Sequence, residues 1–171
     1  SCFPKDVKAL IHTAAKFGYD MRVLNSVEEV NEKQKNILFE KFKNYYKGDL
    51  KGRKVAVWGL AFKPETDDMR EAPALVLIKS LLNEGCFISV YDPVAMEECK
   101  RRIGDVVTYS QNMYDAVIEA DAIFHVTEWK EFRMPSWGVI KKAMKDDPVL
   151  IDGRNVFSAA DLEGITYLKI G

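Results

Sequence analysis

The chain has 171 residues, 47% of them hydrophobic and 30% charged, with a formal net charge of −1. That length and apolar content support one ordinary domain plus an appendage, folded round a real core. The near-neutral balance argues against nucleic-acid or anionic-membrane partners, and no apolar run approaches the roughly 20 residues of a membrane span.

The chain opens Ser1-Cys2-Phe3-Pro4-Lys5-Asp6, which reads as a helix start with Pro4 in the first turn. A thiol beside a lysine at a helix N-terminus is set up to ionise, and the thiolate is the working nucleophile. Val7, Leu10, Ile11, Ala14 and Phe17 recur at helical spacing, and Gly18 marks a stop. Ser26 then starts a second helix, with Glu29 three residues on as a capping box. Val27, Val30, Ile37, Leu38, Phe42 and Tyr45 form its apolar stripe, and Gly48 ends it. Its other faces are heavily charged, so the stripe suits either the following domain or a second chain.

From Arg53 the rhythm changes, after a hinge at residues 47–52. Short β-branched or aromatic runs predict strands at Lys54–Gly59, Phe87–Tyr91, Val106–Tyr109, Ala122–Thr127, Val149–Ile151 and Thr166–Ile170. Between them fall helices near Ala72–Asn83, Ala95–Ile103, Met113–Glu119 and Ser136–Met144. Strands that are apolar almost throughout and alternate with helices predict an α/β fold: a doubly wound, mainly parallel six-stranded Rossmann-like sheet preceded by an α-helical segment.

Polar clusters converge on the ends of these strands, where open α/β sheets bind ligands. The first strand runs into Gly59-Leu60-Ala61-Phe62-Lys63-Pro64, with one glycine where a dinucleotide fingerprint has three, so Lys63 supplies positive charge instead. Arg70 lies in Thr66-Asp67-Asp68-Met69-Arg70-Glu71, suited to a phosphate or carboxylate or held by Asp67 or Asp68, two compatible readings because an ion pair can position a ligand-binding arginine; Asp68 also suits a helix cap. Asp92 ends the second strand, where a carboxylate commonly accepts ribose hydroxyls, and Asp-Pro is also ordinary turn chemistry. Glu128 and the Asp152-Gly153-Arg154 string end the fourth and fifth strands. Three cysteines, Cys2, Cys86 and Cys99, are an odd number without metal spacing, and no signal peptide is visible; the expected compartment is a reducing cytoplasm. Cys86 and Cys99 read as structural, and His12 and His125 as packing or surface residues.

Taken together, the opening string, Gly59–Pro64, Thr66–Glu71, Tyr91-Asp92-Pro93, Thr127-Glu128-Trp129-Lys130-Glu131-Phe132 and Asp152-Gly153-Arg154 resemble, in this order, the UDP-glucose 6-dehydrogenase family, in its C-terminal portion. The related UDP-N-acetylmannosamine and GDP-mannose dehydrogenases share the layout. The resemblance implies oxidation of UDP-glucose to UDP-glucuronate with two NAD, through a thiohemiacetal and a thioester on Cys2, with Asp6 assisting water or proton transfer. It implies that Lys5 and Arg70 touch NAD, and that Phe62, Lys63 and Arg154 hold the UDP-sugar. Residues 1–47 match the end of the central helical segment, through which the family forms homodimers, and residues 48–171 the UDP-binding Rossmann-like domain. The family's N-terminal NAD-binding domain has no counterpart in these residues, so a fragment that binds UDP-sugar without turnover is expected. A non-catalytic nucleotide-binding or dimerisation module is the alternative from another class.

Overall fold

The computed structural model describes residues 2–170, with side chains from residue 5 onward. Two helices, α1 (Cys2–Lys16) and α2 (Arg22–Tyr45), lead into β1 (Lys54–Trp58), α3 (Pro73–Asn83), β2 (Phe87–Tyr91), α4 (Met96–Ile103), β3 (Thr108–Tyr109) and α5 (Met113–Ala116). There follow β4 (Ala122–His125), a 3-10 turn (Lys130–Phe132), α6 (Trp137–Ala143), β5 (Val149–Asp152), a second 3-10 turn (Ala159–Asp161) and β6 (Thr166–Lys169). The strands form one sheet in the order β3-β2-β1-β4-β5-β6, every pair parallel. β1 and β4 therefore meet at the switch point between the two halves.

Alternation along β1 explains the layering. Val55 and Val57 point into a core shared with α2, α3 and α4, while Ala56 and Trp58 point into a second core under α5 and α6. A strand covered on both faces must be apolar at nearly every position, as this one is. Trp58 satisfies its indole by donating to the Met113 carbonyl at 3.1 Å and stacks on Phe132 at 5.4 Å.

Four expectations are corrected. Helix α2 begins at Arg22, not Ser26: the Asn25 amide already bonds to the Met21 carbonyl (2.9 Å), and Asp20 takes the side chains of Arg22 (3.3 Å) and Asn25 (2.9 Å). The capping box is therefore interior to the helix. The expected apolar stripe is divided, with Leu38, Phe39 and Phe42 buried and Val27 and Val30 exposed. β3 has two residues instead of four, because Val106 is exposed and pairing starts only at Thr108. α5 stops at Ala116, because Glu119 turns into the left-handed region (φ 55°) and its amide bonds to the Ala143 carbonyl at 2.7 Å.

Helix α2 spans the sheet from edge to edge. Its C-terminal end meets the N-terminal edge of the sheet, where the Tyr46 hydroxyl donates to the Asp121 carbonyl (3.3 Å). Leu38 lies against Gly153, just beyond the C-terminal end of β5. The helix thus runs antiparallel to the strands, and its 24 residues, about 36 Å at 1.5 Å per residue, carry it past the sheet's C-terminal edge. Among the described residues, no helix is long and apolar enough to cross a membrane.

Candidate functional site

At the C-terminal edge, the loop after β1 is held by sterics and by a buried carboxylate. Gly59 has φ 88°, and a Cβ there would stand 2.6 Å from the Thr127 amide nitrogen. Close passage of two backbones, not phosphate approach, accounts for this glycine. The amides of Leu60 and Ala61 then donate to Asp92 Oδ2 (2.7 and 3.2 Å), as does the Trp129 indole (3.0 Å). Asp92 Oδ1 accepts from the amides of Val94 (2.9 Å) and Ala95 (2.8 Å). The expected ribose acceptor is therefore a buried fastener, its carboxylate turned inward onto five donors.

Asp152, at the end of β5, is fully buried and carries a similar load. Oδ1 faces His125 Nδ1 at 2.9 Å and accepts from the amides of Arg154 (2.9 Å) and Asn155 (3.0 Å). Oδ2 accepts from the amides of Val156 (2.9 Å) and Phe157 (3.3 Å) and from the Tyr167 hydroxyl (2.9 Å). Burial opposes its ionisation, but the His125 and Arg154 hydrogen bonds outweigh it and draw the carboxyl down to about 2. His125 is indeed a packing residue, ringed by Phe132 (5.9 Å) and Phe157 (4.9 Å), whereas His12 is exposed. Both Cys86 and Cys99 are buried, and burial pushes the Cys86 thiol up to about 11.

Arg154 ties three loops together. Its Nε donates to the Val126 carbonyl (2.8 Å) and its Nη2 to the Phe62 carbonyl (3.2 Å), and Glu128 forms an ion pair with it at 2.8 Å. Phe62 and Arg154 then share a cleft of about 310 Å³ with Val126, Gly153 and Ile170. Its opposite wall is α2, through Asn31, Gln34, Lys35 and Leu38, and its end is closed by Glu71 and Pro73. Sequence reasoning missed the α2 residues. Their signal is the spacing 31, 34, 35, 38, one helical face that changes from polar to apolar where it reaches the sheet.

Lys63, Arg70, Lys5 and Asp6 do not line this cleft. Lys63 is exposed, with its ammonium 5.4 Å from the Phe62 ring. Arg70 is exposed and held by Asp68 in a bidentate pair (3.0 and 2.8 Å), which keeps the Asp68 carboxyl well below its usual range. Asp68 does not cap α3, whose N-cap is Ala72 with Pro73 in the first turn. Glu71, at φ 58°, accepts from Lys35 (2.9 Å) and from Lys8 of α1 (3.1 Å). Those bonds lower the Glu71 carboxyl; burial works against the Lys35 charge, yet Glu32 and Glu71 raise it. Lys5 and Asp6 are exposed on α1, the helix that Lys8 links to the cleft. Cys2 belongs to α1, but its side chain, like those of Ser1, Phe3 and Pro4, lies outside the described residues.

Residues 56–159 match the UDP binding domain of the UDP-glucose/GDP-mannose dehydrogenase family, and residues 1–33 match that family's central domain. A UDP-glucose 6-dehydrogenase of Pseudomonas aeruginosa is 46% identical over 100% of this chain and 39% of its own length. One from Bacillus subtilis is 39% identical over 98% of this chain and 36% of its own length. The solved structure of a UDP-glucose dehydrogenase from Pyrobaculum islandicum superposes with a TM-score of 0.84 at 31% identity, covering 98% of this chain and 36% of that one. The chain thus spans less than two fifths of the length of these relatives.

Proposed function

Because the chain belongs to the UDP-glucose/GDP-mannose dehydrogenase family, we propose that it is the nucleotide-sugar-gripping part of a cytoplasmic, NAD-dependent UDP-glucose 6-dehydrogenase, one that oxidises UDP-glucose to UDP-glucuronate. One observation carries the reading. Phe62 and Arg154, 92 residues apart in sequence, are bonded to each other and face one cleft. A guanidinium in a partly dry wall beside an aromatic ring suits a nucleoside diphosphate, with Arg154 on the diphosphate and Lys63 adding charge at the exposed rim. Binding would draw Arg154 from Glu128 to the phosphates.

In this reading Cys2 is the nucleophile that captures the aldehyde stage, and Asp6 assists proton transfer. NAD, when bound, accepts the hydrides, and Lys5 and Arg70 are the groups assigned to it. Both are exposed cations close in sequence to the Lys8–Glu71 link, a donor set that suits a dinucleotide's phosphates. Residues 1–47 belong to the central segment and residues 48–171 to the UDP-binding domain. Leu10, Val23, Val27 and Val30 stay exposed on α1 and α2, which supports pairing of two copies through these helices.

Calorimetry with UDP and UDP-glucose tests the grip. Saturable binding that falls at least tenfold in Arg154→Ala and by a smaller factor in Lys63→Ala is expected. Binding indifferent to both substitutions would dismiss the assignment. Incubation of these 171 residues with UDP-glucose and NAD is expected to give no NADH absorbance, and sedimentation is expected to give a dimer.

A further inference from the structure

We infer that Asp152 is a positioning residue for the nucleotide-sugar cleft, oriented by His125 and Tyr167 and acting on Arg154 through the backbone of residues 154–157. The inference rests on the UDP-sugar reading for its ligand and on the geometry alone for its mechanism. Asp152 lines no part of the cleft and is wholly inaccessible. Yet four consecutive amides, Arg154 to Phe157, converge on its two oxygens. A carboxylate is the one small side chain that accepts that many donors, and each charge-assisted bond holds its amide more firmly than a neutral one would.

The arrangement fixes a particular atom. Bonding the Arg154 amide to Oδ1 leaves its side chain directed along the ends of β4 and β1, where it meets the Val126 and Phe62 carbonyls. Asn155 is held in the left-handed region (φ 55°), a conformation that the carboxylate and the Ile170 backbone jointly enforce. His125 and Tyr167 then decide how the carboxylate itself is turned. The His125 ring is locked edge-on to Phe132, and its Nδ1 grips Oδ1, while the Tyr167 hydroxyl spans Oδ2 and the Phe157 carbonyl (3.1 Å). Two residues with no access to ligand thereby set the reach of one that has it.

The test combines UDP calorimetry with amide hydrogen exchange on this chain. Tyr167→Phe removes one hydroxyl donor from a half-buried side chain and is the mild probe. His125→Phe keeps an aromatic ring without the donor, and His125→Asn restores an N–H near the place of Nδ1. Leu81→Ala, in the core far from this edge, serves as a control that loses stability alone. Expected are faster exchange at residues 154–157 and several-fold weaker UDP binding in Tyr167→Phe and His125→Phe. Partial recovery of both is expected in His125→Asn, and unchanged affinity in Leu81→Ala. Wild-type affinity together with wild-type exchange at 154–157 in folded Tyr167→Phe and His125→Phe would overturn the inference. So would an equal loss of affinity in Leu81→Ala. Should the unsubstituted chain bind no UDP, the UDP reading fails by itself, and the exchange pattern still decides whether Asp152 holds the loop.

Discussion

The two halves of the candidate site are held by different physics. On the sheet side, Phe62 and Arg154 sit on loops fastened by Asp92 and Asp152, both buried and each bonded to several backbone amides. On the helical side, Lys5 and Asp6 ride on α1, where Val7 alone among residues 5–16 is buried and a surface bridge from Lys8 to Glu71 makes the polar link. Buried charge-assisted bonds specify one geometry, whereas exposed ion pairs contribute little and are screened by salt. Under the proposed function, the half that grips the nucleotide is the rigid one, and the helix that carries Cys2 is the more loosely held.

Paired substitutions probe this contrast, beginning with the largest effects. Phe42, fully buried against Phe124, anchors α2 to the sheet, and Phe42→Ala should cost about 3–5 kcal/mol by urea denaturation. Val30→Ala, on the exposed part of the same helix, should change stability by no more than about 0.5 kcal/mol. Glycines repeat the pattern: Gly59→Ala drives a Cβ into the Thr127 backbone and should cost about 3 kcal/mol or more, whereas Gly18→Ala, at φ 74° with open space around it, should cost about 1 kcal/mol. Equal losses within either pair would dissolve the contrast.

Acid gives a smaller, graded effect. Asp152 titrates at about 2 in the folded chain against an ordinary 3.8. Because its folded value is the lower one, its contribution is complete above about pH 4 and drains away as pH falls towards 2. By linkage it amounts to about 2 kcal/mol, and it should vanish from the stability-versus-pH curve of Asp152→Asn. The smallest effect is expected from Glu71→Gln. Global stability should move by less than about 1 kcal/mol, and less still at high salt, while α1 amides exchange faster and those of α3 do not.

Much of this was legible in the sequence. Short, nearly continuous apolar runs alternating with helical stretches located all six strands and the helices between them, because burial on both faces leaves the strands no choice but apolar residues. The grouping of Phe62 with Arg154 was legible through recurring strings, not through periodicity. Three things were not. Asp92 and Asp152 look like ligand acceptors in any strand-end motif, and only the loop conformation shows that backbone amides have taken their oxygens. The α2 wall was hidden because Asn31, Gln34 and Lys35 read as a solvated face until the helix is laid across the sheet. Ser26-x-x-Glu29 has the letters of a helix start, but Asp20 and the Met21 carbonyl had begun the helix four residues earlier.

The brevity of β3 has a consequence for assembly. With two residues at that margin, the sheet offers a newcomer strand almost no ladder of free amides and carbonyls to extend. A long flat margin would invite copies to zip together indefinitely, as fibres do; this one ends the series within the molecule. Strand-by-strand growth is thereby blocked at this margin, and the four residues of β6 make up the other one.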